Sequence, residues 1–191
     1  MAWGFRKLSS KWVIRMDNSQ AVHLSIRKMT ADDLNVVLGW RNHPDIRRYM
    51  YTQHEISIEE HRTWFERASQ DSHKHLLVFE IDKKPQGFVN ITELSSHGVA
   101  DWGFYIAPDA VKGTGRKLGK AALEYAFNNL NLHKVCGQSL AFNERSIQFH
   151  HGLGFQQEGT LRDQHYDGEN YHAVICFGLL SNEWQPEDGN Q

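Results

Sequence analysis

The stretch VKGTGRKLG (111–119) constrains this chain more than any other. It follows a strand-like run, GVADWGFYIAP (98–108), and continues into an amphipathic segment that ends near Leu130. A further strand, KVCGQSLAF (134–142), comes next. A helix joining two strands in this way crosses back over the sheet, so the two strands are expected to lie parallel. Glycines in such a loop let the backbone approach an anion closely, and free amides at a helix start point toward it. Lys112, Arg116 and Lys117 bring positive charge to the same place. Taken alone, the two glycines fit a simple turn leading into a solvated basic helix end better than a phosphate site. The loop is no Walker motif, because GxxxxGK-Ser/Thr is absent. The first strand and distal acid of a dinucleotide-binding unit are missing too.

The rest of the chain supplies short elements around this unit. AVHLSIRKMT (21–30) alternates Val22, Leu24 and Ile26, as a strand does. Thr30 followed by Asp32 and Asp33 opens a helix to Asn42, and Pro44 marks a turn after it. Ser57 and Glu60 stand at capping-box spacing before a second helix that runs to Gln70. Residues 75–94 read as a hairpin turning at Asp82–Gln86. Residues 143–151 form a short helix, and residues 155–180 a closing hairpin that turns at Asp167–Gly168. The order is strand, two helices, three strands, helix, strand, helix, two strands. It predicts one α+β (α/β) domain over residues 21–182: a mostly antiparallel mixed sheet flanked by helices, with a parallel pair around the 112–130 helix. Residues 1–20 read as an extension of unclear role, and residues 183–191 as a frayed polar tail.

Composition narrows the partners. Lys+Arg 21 against Asp+Glu 23 leaves a net charge of -2, which disfavours a general nucleic-acid binder. No apolar run is long enough to span a membrane, and the start of the chain lacks the apolar core of a signal peptide. Cys136 and Cys176 sit in apolar strand contexts and read as reduced thiols of a cytoplasmic protein. The 12 histidines form no metal-binding motif, so no metal is expected.

The ordered set strand–GxG–helix–strand–Asn143–short helix–Gly154–Phe155 resembles the GNAT N-acetyltransferase superfamily over residues 21–180. The superfamily loop reads Gln/Arg-x-x-Gly-x-Gly/Ala. Here Ala110 departs from it at the first position, while Gly113 and Gly115 match. The resemblance implies that amides from Val111 through Lys112, Gly113, Thr114 and Gly115 to Arg116 hold the pyrophosphate of acetyl-CoA. It implies that Phe104, Tyr105 and Ile106 line the pantetheine arm through their backbone, with Asn143 nearby. In this superfamily a tyrosine five residues before the Phe of the turn commonly protonates the leaving thiol. That position is His150. A histidine of pKa near ~6.5 is about one quarter cationic at pH 7, so an imidazolium acid, a neutral donor to sulfur, a base toward the amine and a ring stacked on the cofactor are all open. His151 reads as surface.

WRNHPDIRRYMY (40–51) and EEHRTWF (59–65) are similar to one branch of that superfamily. Its members N-acetylate UDP-4-amino-4,6-dideoxy-N-acetyl-β-L-altrosamine in pseudaminic acid biosynthesis, ahead of flagellin glycosylation. The resemblance implies a UDP-amino sugar as acceptor. Arg41 offers fixed donors to a diphosphate, and Met50 and Tyr51 offer apolar contact to the base or the deoxy-sugar methyl. His43, His61 and Gln138 are expected at the sugar or phosphates, and His61, His43 or solvent as the base. Two other readings keep the fold: a protein N-terminal or ribosomal-protein acetyltransferase, and a non-catalytic acyl-CoA sensor. A homodimer is compatible with the sequence.

Overall fold

The computed structural model describes residues 11–14, 22–95 and 97–185. Among these residues, one eight-stranded sheet runs in the order β1-β2-β3-β4-β5-β6-β8-β7. Its strands are β1 (Lys11–Ile14), β2 (Val22–Lys28), β3 (Lys74–Ile81), β4 (Lys84–Ser95), β5 (Val99–Ile106), β6 (Lys134–Leu140), β7 (Gln156–Tyr166) and β8 (Tyr171–Leu180). Every neighbouring pair is antiparallel except β5 and β6. The helices are α1 (Leu34–Asn42), α2 (Pro44–Arg47), α3 (Ile58–Gln70), α4 (Thr114–Glu124) and α5 (Glu144–Gly152).

The sheet buries both faces, so β3 carries four fully buried residues in a row, Leu76 to Phe79, instead of an in–out alternation. Leu77, Phe79, Ile91, Trp102 and Val135 pack with Leu118 and Ala122 of α4 on one side. Val78 and Phe88 pack with Val37 and Trp40 of α1 and Ala68 of α3 on the other. The predicted capping box forms: Ser57 Oγ accepts from the Glu60 N–H at 3.1 Å, while Glu60 accepts from the Ser57 N–H at 2.8 Å. Thr30 and Asp33 make a second. After α4 the chain passes through a π-helical turn, Tyr125–Asn129.

The structure departs from the sequence reading at four places. The β3–β4 turn is only Asp82–Lys83, both at positive φ (50° and 64°), which suits a primed two-residue hairpin. Lys84 and Pro85 already belong to β4; proline is tolerated there because it sits at a strand start opposite a bulge at Phe79/Glu80. Pro44 opens a helical turn, α2, instead of a plain turn. Lys11–Ile14 pair with β2 as an edge strand, whereas the sequence showed no element before residue 21; the rest of residues 1–20 lies outside the described residues. Glu183 is no frayed position: its carboxylate accepts from the Leu180 N–H at 2.9 Å and from Gln156 Nε2 at 2.7 Å. Residues 186–191 lie outside the described residues. No described helix is long and apolar enough to cross a membrane.

Candidate active site

The parallel ladder between β5 and β6 is three residues long. It pairs Val99, Ala100 and Asp101 with Lys134, Val135 and Cys136, and stops. Beyond Asp101, β5 stays paired to β4 and β6 to β8, but their facing edges part. A cleft of about 1620 Å³ opens there. Its wall offers unpaired backbone N–H and C=O groups from Trp102 to Ile106, which an extended polar chain can satisfy. At the far end of β5 the chain turns into α4. Gly113, at φ 94°, is the N-cap, and no side chain caps the helix. The first N–H groups of α4 are therefore open to an anion. The Thr114 hydroxyl beside them is buried without a partner among the described residues. Phe104, Tyr105, Ile106, Val111, Lys112, Gly113, Thr114, Gly115, Arg116 and Asn143 all line this cleft. A phosphate-bearing extended cofactor fits these features.

Two of those residues have duties the sequence did not reveal. A Cβ on Gly115 would stand 2.8 Å from Ile106 Cδ1, so this glycine lets α4 lie close on β5. Asn143 Oδ1 caps α5 by accepting from the Ser146 N–H at 3.1 Å. Along β5, Phe104 turns to α5 and meets Phe149 at 4.6 Å between ring centres. Tyr105 turns the other way onto Phe88, and its burial raises the phenol pKa, so the hydroxyl keeps its proton.

His150 lines the cleft from the α5 side and is almost fully buried. Its Nδ1 lies 2.8 Å from the Ser146 carbonyl, so that nitrogen carries the proton and donates. Its Nε2 then accepts from the Trp102 indole N–H at 3.2 Å. The ring stacks on Phe177 at 4.6 Å. Desolvation pushes its pKa down to about 4, against a smaller opposing effect of the Ser146 carbonyl. Of the roles left open by the sequence, the imidazolium acid is therefore not the form favoured at neutral pH, and both nitrogens are engaged. His150 instead holds Trp102 in place. Gly137 on β6 makes room for the pair: a Cβ there would sit 2.5 Å from His150 Nε2 and 2.8 Å from Trp102 Nε1.

The opposite side of the cleft is built by α1, α3 and the segment between them. The Arg41-Asn42-His43 triplet divides its work. Asn42 clamps the loop through two bonds to the Ile56 backbone, 2.8 and 2.9 Å. His43 does not reach the cleft, contrary to expectation; it caps α2 by accepting from the Asp45 N–H at 3.3 Å. Arg41 does reach it. Its Nη2 donates to the Thr52 carbonyl at 2.8 Å, while Nη1 is buried and has no partner among the described residues. His61, buried and stacked on Trp64 at 5.1 Å, also has an unpartnered ring nitrogen, Nδ1. Burial, and then the charge of Arg41, lower its pKa, so it is neutral. Met50, Tyr51 and Gln138 line the same region, and the Tyr51 hydroxyl donates to Gln138 Oε1 at 2.9 Å.

Sequence reasoning missed Trp102, Asn42 and Asp101. Asp101 lines the cleft half-buried, with no hydrogen-bond or ion-pair partner among the described residues, and burial raises its pKa. A carboxylate inside the apolar strand VADWGFYI was the available signal. No group of acids, histidines and cysteines that could hold a metal occurs among the described residues.

Residues 23–156 match a family model described as acetyltransferase (GNAT) domain. The chain is 32% identical over 154 residues to acetyltransferase PseH of Campylobacter jejuni strain 81-176, covering 78% of this chain and 88% of that protein. It is 25% identical over 166 residues to spermidine N(1)-acetyltransferase of Escherichia coli K12, covering 86% and 89%. The solved structure of spermidine N-acetyltransferase from Vibrio cholerae in complex with CoA and spermine superposes with a TM-score of 0.78 at 26% identity, over 84% of this chain and 96% of that one. With its splayed parallel pair and uncapped glycine-bounded helix, this chain belongs to the GNAT acetyltransferase family and is an acetyl-CoA-dependent N-acetyltransferase.

Proposed function

We propose that the acceptor is the 4-amino group of a UDP-linked 4-amino-4,6-dideoxy sugar, UDP-4-amino-4,6-dideoxy-N-acetyl-β-L-altrosamine, and that the enzyme serves pseudaminic acid biosynthesis. The observation that carries this reading is the buried Arg41 Nη1, which has no partner among the described residues, on the acceptor side. A guanidinium in such a place is costly unless an anion completes it, and a diphosphate does so with charge-assisted bonds. Tyr51 and Met50 supply flat and adaptable apolar surface beside it, suited to uracil or a sugar methyl. The 32% identity to PseH supports the same acceptor.

In this reading the amide groups at the start of α4 hold the pyrophosphate of acetyl-CoA, and its pantetheine pairs with the free edge of β5. The thioester lies at the closed end of the splay, where backbone N–H groups polarise its carbonyl. Transfer is direct, in a ternary complex, and alignment of the two substrates carries much of the rate. His150 contributes by fixing Trp102 on the wall of the cleft, and the departing thiolate takes its proton from water.

A second reading, a polyamine acceptor, is favoured by the fold match to spermidine N-acetyltransferase and by Glu59 and Glu60 on the cleft wall. One experiment separates the two. Purified protein and acetyl-CoA are offered the UDP-4-amino sugar or spermidine, and products are weighed by mass spectrometry. An acetyl gain on the nucleotide sugar is expected; acetylated spermidine with an untouched sugar overturns the proposal. Arg41→Ala should then raise KM for the sugar roughly 10- to 100-fold, as for losing charged hydrogen bonds of about 1.5–3 kcal/mol, and leave KM for acetyl-CoA unchanged. An unaltered sugar KM removes the phosphate role.

A further inference from the structure

We propose that Gly103 is a specificity-determining residue that fits this enzyme to a ring-shaped acceptor. With no side chain there, β5 and β4 form a floor at backbone level on which the ring of the amino sugar lies. This rests on the sugar acceptor proposed above and deepens it.

Gly103 interrupts the strand VADWGFYI. A glycine inside a strand weakens it, because it packs nothing and loses more freedom on folding. The fold explains such a glycine when its backbone needs positive φ, or when a neighbour stands where a Cβ would be. Three glycines line the cleft, and two of them meet one of these conditions. Gly113 takes φ 94°, and Gly115 lies against Ile106. Gly103 meets neither: its φ is not positive, and a Cβ there would meet nothing within 4 Å. The space left open belongs to something the fold itself does not supply. Close approach of a ligand is the remaining reason for a glycine in a strand.

That space faces the acceptor side. Side chains alternate along a strand. Trp102 and Phe104 turn to α5, so position 103 turns with Tyr105 to the side of α1 and α3. Gly103 is exposed there and pairs across the sheet with Asn90, a half-buried residue that lines the same cleft. Asn90 Nδ2 has no partner among the described residues, and Oδ1 accepts only from Thr92 Oγ1, at 3.4 Å. Its amide is available to a ring hydroxyl or acetamido group. Tyr51 and Gln138 border this floor on the β6 side. Trp64 borders it on the α3 side, stacked on His61 and edge-on to Phe88, two residues from Asn90.

The position along β5 selects the ring. The parallel ladder ends at Asp101, and in the proposed arrangement the thioester lies at that closed end. Gly103 is two residues further along the strand, about 7 Å away. An amine that reaches the thioester therefore carries its sugar ring directly over Gly103. A linear polyamine is narrower and needs no floor of that width. A side chain at position 103 rises into the place of the ring, whereas the pantetheine, pairing in the plane of the sheet with the β5 edge, is left alone.

Gly103→Ala and Gly103→Val test this as a size series. Both side chains have room in the fold and suit a strand better than glycine, so Tm should hold or rise. A lowered Tm for Gly103→Ala marks a structural glycine and overturns the proposal. Isothermal titration should give an unchanged Kd for acetyl-CoA; a Kd that weakens in step with turnover assigns the space to the donor and overturns it. With the UDP-4-amino sugar, kcat/KM should fall about 10-fold for Gly103→Ala and about 100-fold for Gly103→Val, as added carbons fill the seat of the ring. A Gly103→Val variant within about threefold of wild type overturns the seat and leaves the sugar acceptor standing. A wild type that acetylates spermidine and not the sugar overturns both.

Discussion

The two sides of the cleft are made of different material. The proposed donor side is backbone: a strand edge without a partner among the described residues, an uncapped helix start, and glycines that let α4 and His150 approach. The proposed acceptor side is side chains, positioned by bonds from distant segments: Arg41 by the Thr52 carbonyl, Asn42 by the Ile56 backbone, Tyr51 by the Gln138 side chain. A backbone site recognises what its ligands share, phosphate charge and an amide chain. A side-chain site can change acceptor without changing the fold. That is how one architecture relates this chain both to PseH and to spermidine acetyltransferases.

The comparison breaks most severely at Gly137, where nothing larger fits. Gly137→Val places carbon against His150 Nε2 and Trp102 Nε1, both closer than 3 Å to a Cβ. The splay must shift, with an overpacking cost of about 1–3 kcal/mol in stability. Unfolding in urea measures that cost, and isothermal titration should show acetyl-CoA affinity falling with it. Unchanged affinity would mean that the donor wall tolerates displacement and is no rigid backbone site.

His150→Phe sharpens the same comparison through pH. The folded pKa of about 4 lies below the unfolded value near ~6.5, so the fold keeps this ring neutral. Above pH ~6.5 the titration contributes nothing. As pH falls from there toward 4 the unfolded chain gains a proton that the folded chain refuses, and stability drops by up to about 3 kcal/mol. The phenylalanine variant should lack this drop. At pH 7.5 it should instead be less stable by about 1–3 kcal/mol, because the Trp102 N–H loses its acceptor. Chemical denaturation at pH 7.5, 6 and 4.5 measures both effects. With chemistry rate-limiting, wild-type kcat should show no imidazole limb between pH 6 and 9; a fall in kcat as pH rises through that range would restore His150 as an acid.

What the sequence revealed follows the same division. Backbone sites need particular residues at particular spacings, so Gly113, the helix after it, Asn143 and Gly154–Phe155 announced the parallel pair and pointed to the proposed donor side. The mixed sheet followed from strand order. Contacts between distant segments left no periodic trace. Nothing local distinguished Arg41, which enters the cleft, from His43 two residues on, which caps a helix. His150 was found by position but its state was left open, because its protonation depends on burial against Trp102 and Phe177, remote in sequence. The two-residue hairpin was hidden because Asp82 and Lys83 carry no glycine to signal positive φ.

The smallest effect is expected where the acceptor side is merely tied together. Asn42 does not itself line the cleft, yet its amide exchanges two bonds with Ile56, which does, and so fixes the ends of the segment that carries Met50, Tyr51 and Thr52. Asn42→Ala removes both bonds and should cost about 1–2 kcal/mol of stability. A loosened segment must be ordered again by the acceptor, which raises acceptor KM about 3- to 10-fold and leaves the donor side alone. Steady-state kinetics varying each substrate in turn measures the split. A proportional rise in acetyl-CoA KM would show that the two sides move as one body, and the division between backbone and side-chain recognition would not hold.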